Sequence, residues 1–311
     1  MIKENISLKQ FSHYKIGGPA RYFYDAKNRE EIKDALVKRR TLNLPLFILG
    51  GGTNLLISDE GFSGIVLRPN MDYIKQVDET TLHVGAGTSV HDLLMYLVKN
   101  KLSGMEWAGG LPGTVGGAVR GNAGAFGGEI KDVVYHAISI DSDKEEGVFV
   151  ERDNKECRFG YRTSIFKGEA NNEIIIEVTL LLKKGKKEDI EKMIQEKINY
   201  RIERHPMDYP NIGSIFKNVD VNLFTREYLE PVKDRIKKDP FPVVPTAVLI
   251  SLCGLAGAVH GGAMISPKHP NFIINTGNAS SRDVEYLIAF IKREVYKKFH
   301  VNLEEEIVRV S

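Results

Sequence analysis

The sequence predicts a mixed α and β fold in two domains. Stretches with apolar residues at helical spacing alternate with short apolar runs that read as strands. Glycine-rich turns punctuate these elements, most of them in the first half of the chain. The length, 311 residues, suits two domains of ordinary size, and His205-Pro206 marks a stop where one would end.

The elements read in order as follows. Residues 29–40 are helical, with Ile32, Leu36 and the Arg39/Arg40 pair at helical spacing. The apolar run 46–49 is a short strand leading into Gly50-Gly51-Gly52, and 65–67 is another. Residues 81–84 form a strand ending at Gly85-Ala86-Gly87. Ser89 then caps a helix through Lys99 that buries Leu93, Leu94, Leu97 and Val98. Residues 133–140 and 174–182 read as strands. The lysines of 183–187 read as a solvated turn. Residues 188–204 form a charged amphipathic helix with Ile190, Met193, Ile194, Lys197 and Ile198 on one side. Beyond the stop, 220–245 is irregular and proline-rich, 247–255 is helical and ends at a glycine, and 282–300 is a long helix capped by Ser280 or Ser281. Residues 303–310 read as a closing strand. No internal repeat appears.

Composition narrows the function. Lys+Arg 43 against Asp+Glu 41 leaves a net charge of +2, too balanced to point to nucleic acid. The two cysteines, Cys157 and Cys253, have no metal-binding spacing, so no metal is expected and free thiols in a reducing cytosol are the simplest account. No apolar run reaches the roughly 18 residues of a membrane helix, and the first ten residues lack a signal-peptide core. These features predict a cytoplasmic protein with a small-molecule substrate and neither a membrane nor a nucleic acid as partner.

Three glycine loops could hold phosphate. Consecutive glycines remove Cβ atoms and let backbone N–H groups approach an anion. The first is Leu49-Gly50-Gly51-Gly52-Thr53-Asn54-Leu55, after a strand; no Gly-Lys-Ser/Thr follows, so it is not a P-loop. The second, 85–90, resembles a dinucleotide fingerprint but has Val90 at the third glycine and no ribose-binding acid downstream. A plain strand-to-helix turn explains it as well. The third runs from Ala108 to Ile130. It includes Gly113, Thr114, Gly116 and Gly117, then Asn122, Ala123 and Gly124. Its density of small residues suits a backbone wrapped around a long, flat, phosphorylated ligand, with tight turns as the bland alternative.

In chain order, several motifs resemble the UDP-N-acetylenolpyruvoylglucosamine reductases (the MurB family). They are residues 14–20, the loop 50–56, the segment 110–130, Tyr161-Arg162-Thr163-Ser164, Gly213-Ser214-Ile215-Phe216-Lys217-Asn218, residues 269–279 and residues 303–310. The shorter subtype, lacking a tyrosine-bearing insertion, is the better match. The resemblance implies an α+β fold: a two-subdomain FAD-binding part of the vanillyl-alcohol-oxidase type (1–204, subdomains 1–68 and 69–204) and a smaller substrate-binding domain (205–311). It implies non-covalent FAD on loops 49–55 and 113–124, and NADPH as electron donor. The implied reaction reduces UDP-N-acetylglucosamine enolpyruvate to UDP-N-acetylmuramate in peptidoglycan precursor synthesis, and so serves cell-wall biogenesis, cell shape and division. Hydride goes from flavin N5 to substrate C3 and a proton to C2.

The resemblance carries roles to individual residues. Arg162 matches the catalytic arginine, which also lies against the cofactor; a guanidinium can grip a carboxylate through two hydrogen bonds. Ser214 matches the serine that supplies the C2 proton, a weak acid that needs activation. Glu306 matches the catalytic glutamate, three residues after Leu303. Strand parity puts Glu306 with Val308 and Val310, but Glu304 shares that face. Tyr161, Lys217, Asn218 and Asn271 are the expected substrate contacts, with His269 a weaker candidate.

Three features depart from the family pattern: Val219 stands where a proline is usual, Met264 where a glutamine is usual, and the proline-rich stretch 224–246 replaces a short connection. Two rival readings stand beside the resemblance. One is another FAD-dependent oxidoreductase of this fold, acting on a sugar or alcohol; such enzymes often tether flavin through histidine, and loop 50–56 has none. The other is an inactive nucleotide-binding module, which the joint presence of Arg162, Ser214 and Glu306 argues against.

Overall fold

A computed structural model describes residues 2–144, 148–238 and 241–311. Pro240 of the proline-rich stretch and Met1 lie outside them. The chain forms two compact units. The first comprises residues 2–6, Ala20–Gly51 and Ser63–Arg201; the second comprises Ser7–Pro19, Gly52–Phe62 and Ile202–Ser311. The stretches Ser7–Pro19 and Gly52–Phe62 thus group with the C-terminal stretch, although they precede residue 204 in sequence.

In the first unit, helix Arg29–Leu42 begins where the Asn28 side chain accepts from Glu31 N (3.0 Å) and ends at Asn43 in the left-handed region. It buries Ile32, Ala35 and Leu36 against strands that contribute Tyr24, Ile65 and Leu67. Those strands belong to a four-stranded sheet in the order Ile2–Ser7, Pro19–Ala26, Phe62–Pro69, Leu46–Ile48. A five-stranded sheet, antiparallel throughout, runs Val148–Asp153, Val134–Asp141, Glu173–Leu181, Thr81–Gly85, Ile74–Gln76. Helix Val90–Asn100, capped by Ser89 (Oγ to Asp92 N, 2.9 Å), buries Leu93, Leu94, Leu97 and Val98 as the spacing predicts. Lys183-Lys184 is not a turn: it pairs antiparallel with Leu102-Ser103.

Helix Val115–Gly121 has no signature in the sequence, because glycine is a poor helix former. Packing of Val115, Ala118 and Val119, together with the cap from Thr114 Oγ1 to Gly117 N (3.3 Å), holds it. On helix Lys187–Arg204 the buried stripe is Ile190, Ile194 and the partly buried Ile198; Met193 is off the stripe and 46% exposed.

The second unit packs helices Thr246–Leu252 and Ser281–Phe299 against a three-stranded antiparallel sheet, Val259–His260, Ala263–Ile265 and Ile273–Asn275. Ser280 is the cap of the long helix, in a reciprocal capping box with Asp283. The Tyr14 hydroxyl is buried and donates to Ile273 O (2.8 Å), while Asn275 Nδ2 donates to Tyr14 O (3.0 Å). The N-terminal signature therefore has a structural task in this unit. The stretch 224–246 is less irregular than expected: it holds short helical turns and the pair Val243-Val244, which ladders with Val219-Asp220. Val219, Val232, Val243 and Val244 are buried. A valine in place of proline keeps an N–H for this ladder position.

The expected closing strand is shorter than its sequence pattern. Only Val308–Val310 is a strand, parallel to Leu55–Ile57; Glu305 makes one isolated bridge with Phe216. Alternation over 303–310 therefore does not apply, and parity does not select among the three glutamates.

Glu173 is buried and joins Arg152 and Ser139 Oγ (2.6 Å) across neighbouring strands of the five-stranded sheet. Removing one partner of a buried pair strands the other charge. Glu173→Ala is expected to lower stability by roughly 3 kcal/mol, read as a shift of the urea midpoint at unchanged m-value.

Candidate functional site

Loop 49–55 divides between the units. In the first, Leu49 is buried and its N–H donates to Leu67 O (2.9 Å). A Cβ on Gly50 would lie 3.2 Å from Thr114 Oγ1, and one on Gly51 2.7 Å from Gly113 Cα. A Cβ on Gly116 would meet Ala86 Cβ at 2.8 Å. Gly51 is demanded by close backbone packing and Gly116 by the Ala86 side chain, while a Cβ on Gly50 would crowd the Thr114 hydroxyl, so part of the glycine density has a packing cause. Gly117 and Gly121 are different: a Cβ would meet only Thr114 Oγ1 (3.4 Å) at the first and nothing within 4 Å at the second. In the second unit, Gly52 has φ +65° and a Cβ there would lie 1.9 Å from Phe11 O. Thr53 follows it. The Asn54 side chain donates to Glu306 O (3.0 Å), and Leu55 pairs with Val308.

Asn122 is fully buried with φ +43°. Its side chain donates to Gly160 O (2.9 Å) and accepts from Lys131 N (3.3 Å), so it fixes the turn. Ala123 N donates to Ala118 O (2.8 Å), and Gly124 begins the hairpin Gly124-Ala125/Gly128-Glu129.

Arg162 sits at the tip of a turn closed by the Gly160↔Thr163 bridge, with φ +57°, a conformation uncommon for a non-glycine residue. Its Nη2 donates to Gly124 O (2.7 Å), its guanidinium lies 5.1 Å from the Tyr161 ring centroid, and Lys167 Nζ holds its carbonyl (2.9 Å). A strained backbone held by its surroundings aims this side chain at the glycine hairpin.

Two further arginines of this unit were missed. Burial pulls the guanidinium of Arg120 below its ordinary pKa; burial, then the charge of Arg162, does the same to Arg201. Arg201 Nε donates to Gly109 O (2.9 Å) and the group lies 5.3 Å from the Phe126 centroid, yet its Nη2 is buried without a partner. A buried cation with an unused donor is costly unless an anion or another acceptor reaches it. Phe126 is 41% exposed with φ +54°, another strained residue at the hairpin. One sequence signal existed: Arg201 continues the stripe Ile190, Ile194, Ile198, where a charge is out of place.

In the second unit the Ser214 segment follows Gly213 (φ +81°) and is clamped from two sides. Ile215 N donates to Asn271 O (2.8 Å), and the buried Asn271 side chain accepts from Phe216 N (3.1 Å) and donates to Phe216 O (2.8 Å). Glu306 N donates to Ile215 O (2.8 Å) and Lys217 N to Glu304 O (3.0 Å). The fold therefore puts the Ser214 and Glu306 segments side by side. Lys217 is ion-paired to Glu304, and the Asn218 side chain accepts from Thr246 N (3.3 Å) at the start of a helix.

Glu305 pairs with Lys292 (2.5 Å) and Arg309 (2.9 Å); burial pushes its carboxyl up, but these hydrogen bonds outweigh that and hold it below the usual range. Glu304 and Glu305 thus each hold cations of the unit.

His269 is buried between the rings of His205 (5.3 Å) and Phe272 (4.8 Å), with Nδ1 unpartnered. Burial, reinforced by the charge of Lys237, pushes its pKa down to about 4. A depressed histidine pKa favours the folded state above the unfolded value near 6.5. That contribution is lost as pH falls from there towards 4, about 3 kcal/mol in all. His269→Phe is expected to flatten this part of the stability profile, measured by urea denaturation at pH 7 and pH 4.5.

Among the described residues, no group of three or more His, Cys, Asp or Glu could hold a metal ion, and no helix is long and apolar enough to cross a membrane.

Comparison with known proteins places these motifs in context. A family model for the C-terminal domain of UDP-N-acetylenolpyruvoylglucosamine reductase matches residues 205–310, and one for an FAD binding domain matches residues 20–143. The reductase of that name from Lachnoclostridium phytofermentans is 37% identical over 97% of this chain and 91% of its own length. The one from Anoxybacillus flavithermus is 36% identical over 98% and 93%. A solved structure, UDP-N-acetylenolpyruvylglucosamine reductase (MurB) from Thermus caldophilus, is 30% identical with a TM-score of 0.77, covering 100% of both chains. The fold is therefore the expected α+β one, an FAD-binding part joined to the C-terminal domain of that family.

Proposed function

The chain belongs to the UDP-N-acetylenolpyruvoylglucosamine reductase family, and we propose that it reduces UDP-N-acetylglucosamine enolpyruvate to UDP-N-acetylmuramate, an NADPH-dependent step of peptidoglycan precursor synthesis in the cytoplasm. One observation carries the reading to this chain's own residues: the fold ties the Ser214 segment to the Glu306 segment through Glu306 N and Ile215 O (2.8 Å). The partner is a small-molecule substrate, with neither nucleic acid nor membrane required.

The residues fit FAD. Gly117 leaves backbone open beside the Thr114 cap and Gly121 does so at the far end of the same helix, and the unpartnered Arg201 Nη2 offers a buried donor to a phosphate or carbonyl oxygen. Residues Leu49, Gly50, Gly51, Gly52, Thr53 and Leu55, with Gly113, Thr114, Gly116, Gly117, Asn122, Ala123 and Gly124, would hold it, with Arg162 alongside; the side chain of Asn54, expected among them, is committed to the Glu306 carbonyl instead. When bound, FAD would supply the hydride chemistry, taking hydride from NADPH for C3 of the enolpyruvyl group.

The protein's part is position and electrostatics. Addition of hydride at C3 builds negative charge on the substrate carboxylate, and Arg162, already oriented by its turn, stabilises that charge more than the ground state. Ser214 delivers a proton to C2, and Glu306 orients the reacting group beside it. Lys217, Asn218, Asn271 and Tyr161 shape the substrate site; the first three also brace the Ser214 segment and its neighbours.

The test is the visible spectrum of the purified protein under anaerobic conditions. The flavin band is expected to bleach with NADPH and return when the enolpyruvyl-UDP-sugar is added. A flavin that bleaches but is not reoxidised by the sugar would move the substrate elsewhere. For Glu306→Gln the bleaching is expected at an unchanged rate and the return to slow by roughly 1000-fold, still measurable in a single turnover; full turnover in that variant would remove Glu306 from the chemistry.

A further inference from the structure

Asn54 lies in a glycine-rich loop whose obvious task is to hold a cofactor, but its side chain is turned to another use. Its Nδ2 donates to the backbone carbonyl of Glu306 (3.0 Å), and its own carbonyl accepts from Val308 N (3.0 Å). One residue thus brackets 306–308 at two points. The bracket is itself anchored. Gly52, two residues earlier, is packed against the Phe11 carbonyl and holds His13 N (3.0 Å) through its own carbonyl, while Leu55 begins the parallel pairing with Val308.

On the other side, Glu306 N–H is fixed on Ile215 O (2.8 Å), next to Ser214. Both backbone groups of Glu306 are therefore held, one by the neighbour of Ser214 and the other by Asn54. Its sequence neighbours are fixed as well, Glu305 by Lys292 and Arg309 and Ile307 by burial. This stretch has little regular strand of its own, since the ladder begins only at Val308. The Asn54 amide thus holds the Glu306 carbonyl just ahead of the ladder, and with the N–H held on Ile215 O this fixes the backbone of Glu306 and the direction in which its side chain leaves it.

We propose that Asn54 is a positioning residue for Glu306: its amide sets the direction of the peptide that carries the catalytic acid. The proposal rests on the reading of Glu306 as that acid. Displacement of a reacting group by about 1 Å can cost on the order of 100-fold in rate, so the effect is readable.

The test is a double-mutant cycle on the FAD-loaded enzyme, using Asn54→Asp, Glu306→Gln and the pair. Asn54→Asp keeps the shape and removes the donor. Three readouts are needed: FAD affinity by fluorescence titration, the rate of flavin reduction by NADPH, and the single-turnover rate of reoxidation by the enolpyruvyl-UDP-sugar. For Asn54→Asp, FAD affinity and the NADPH step are expected within about threefold of wild type, while reoxidation falls at least about tenfold. In the Glu306→Gln background, the same change is expected to cost less than about twofold, because the acid it positions is gone.

An equal loss in both backgrounds would overturn the proposal, placing Asn54's effect outside Glu306. Loss of FAD affinity would overturn it by assigning Asn54 to the cofactor. Normal reoxidation by Glu306→Gln alone would remove the reading of Glu306 and the proposal with it, a result read on a single variant and so separable from the cycle. If Asn54→Asp gives no cooperative melt, Asn54→Ser goes through the same cycle.

Discussion

Val308–Val310 runs parallel to Leu55–Ile57, and much of the second unit depends on this pairing. It joins the end of the chain to a segment some 250 positions earlier, so loop closure opposes it and only burial and ladder hydrogen bonds repay that entropy. Leu56 and Val310 are buried, as are Ile57 and Ile307. Through this pairing a stretch of three glutamates acquires a fixed frame. Lys217, Lys292 and Arg309 then engage Glu304 and Glu305, and the Ser214 segment is held against 304–306 on one side and Asn271 on the other. Asparagines do much of this work because a carboxamide both donates and accepts, and so can satisfy backbone groups where no regular ladder runs.

The first unit solves a different problem, that of presenting cations near a backbone-lined surface. Arg162 is carried on a strained turn and anchored to Gly124 O; Arg201 emerges from the apolar stripe of a long helix and is anchored to Gly109 O. Each arginine uses one donor for its own placement. For Arg201, an unsatisfied nitrogen remains in a buried position, which a folded protein tolerates at a functional site more readily than in a core.

The roles of individual residues divide by how local their causes are. Ser89 and Ser280 were recognisable as caps because the signal lies within four residues of the helix they start. The motif around Gly213-Ser214 and the turn at Tyr161-Arg162 were recognisable from type and order. Asn54, Asn122 and Asn271 were expected at the cofactor or substrate, and their bracing of the backbone was not legible, since their partners, Glu306, Gly160 and Phe216, stand 252, 38 and 55 positions away. The glycines were misjudged in part: the need at Gly51 and Gly116 comes from Gly113 and Ala86, which no spacing rule connects to them.

The sequence by itself determined the long helices, the three central strands of the five-stranded sheet and the family whose motifs the chain carries. These depend on period, cap chemistry and residue order, all of which are local. Only the tertiary structure decided that Ser7–Pro19 and Gly52–Phe62 group with the C-terminal stretch. It also decided that the closing strand is three residues long, that Val115–Gly121 is helical, and that Arg201 is left with a free donor. The reason is physical: pairing between distant segments is set by which apolar faces can be buried together, and a backbone group without a ladder partner takes whatever side chain that burial brings within reach.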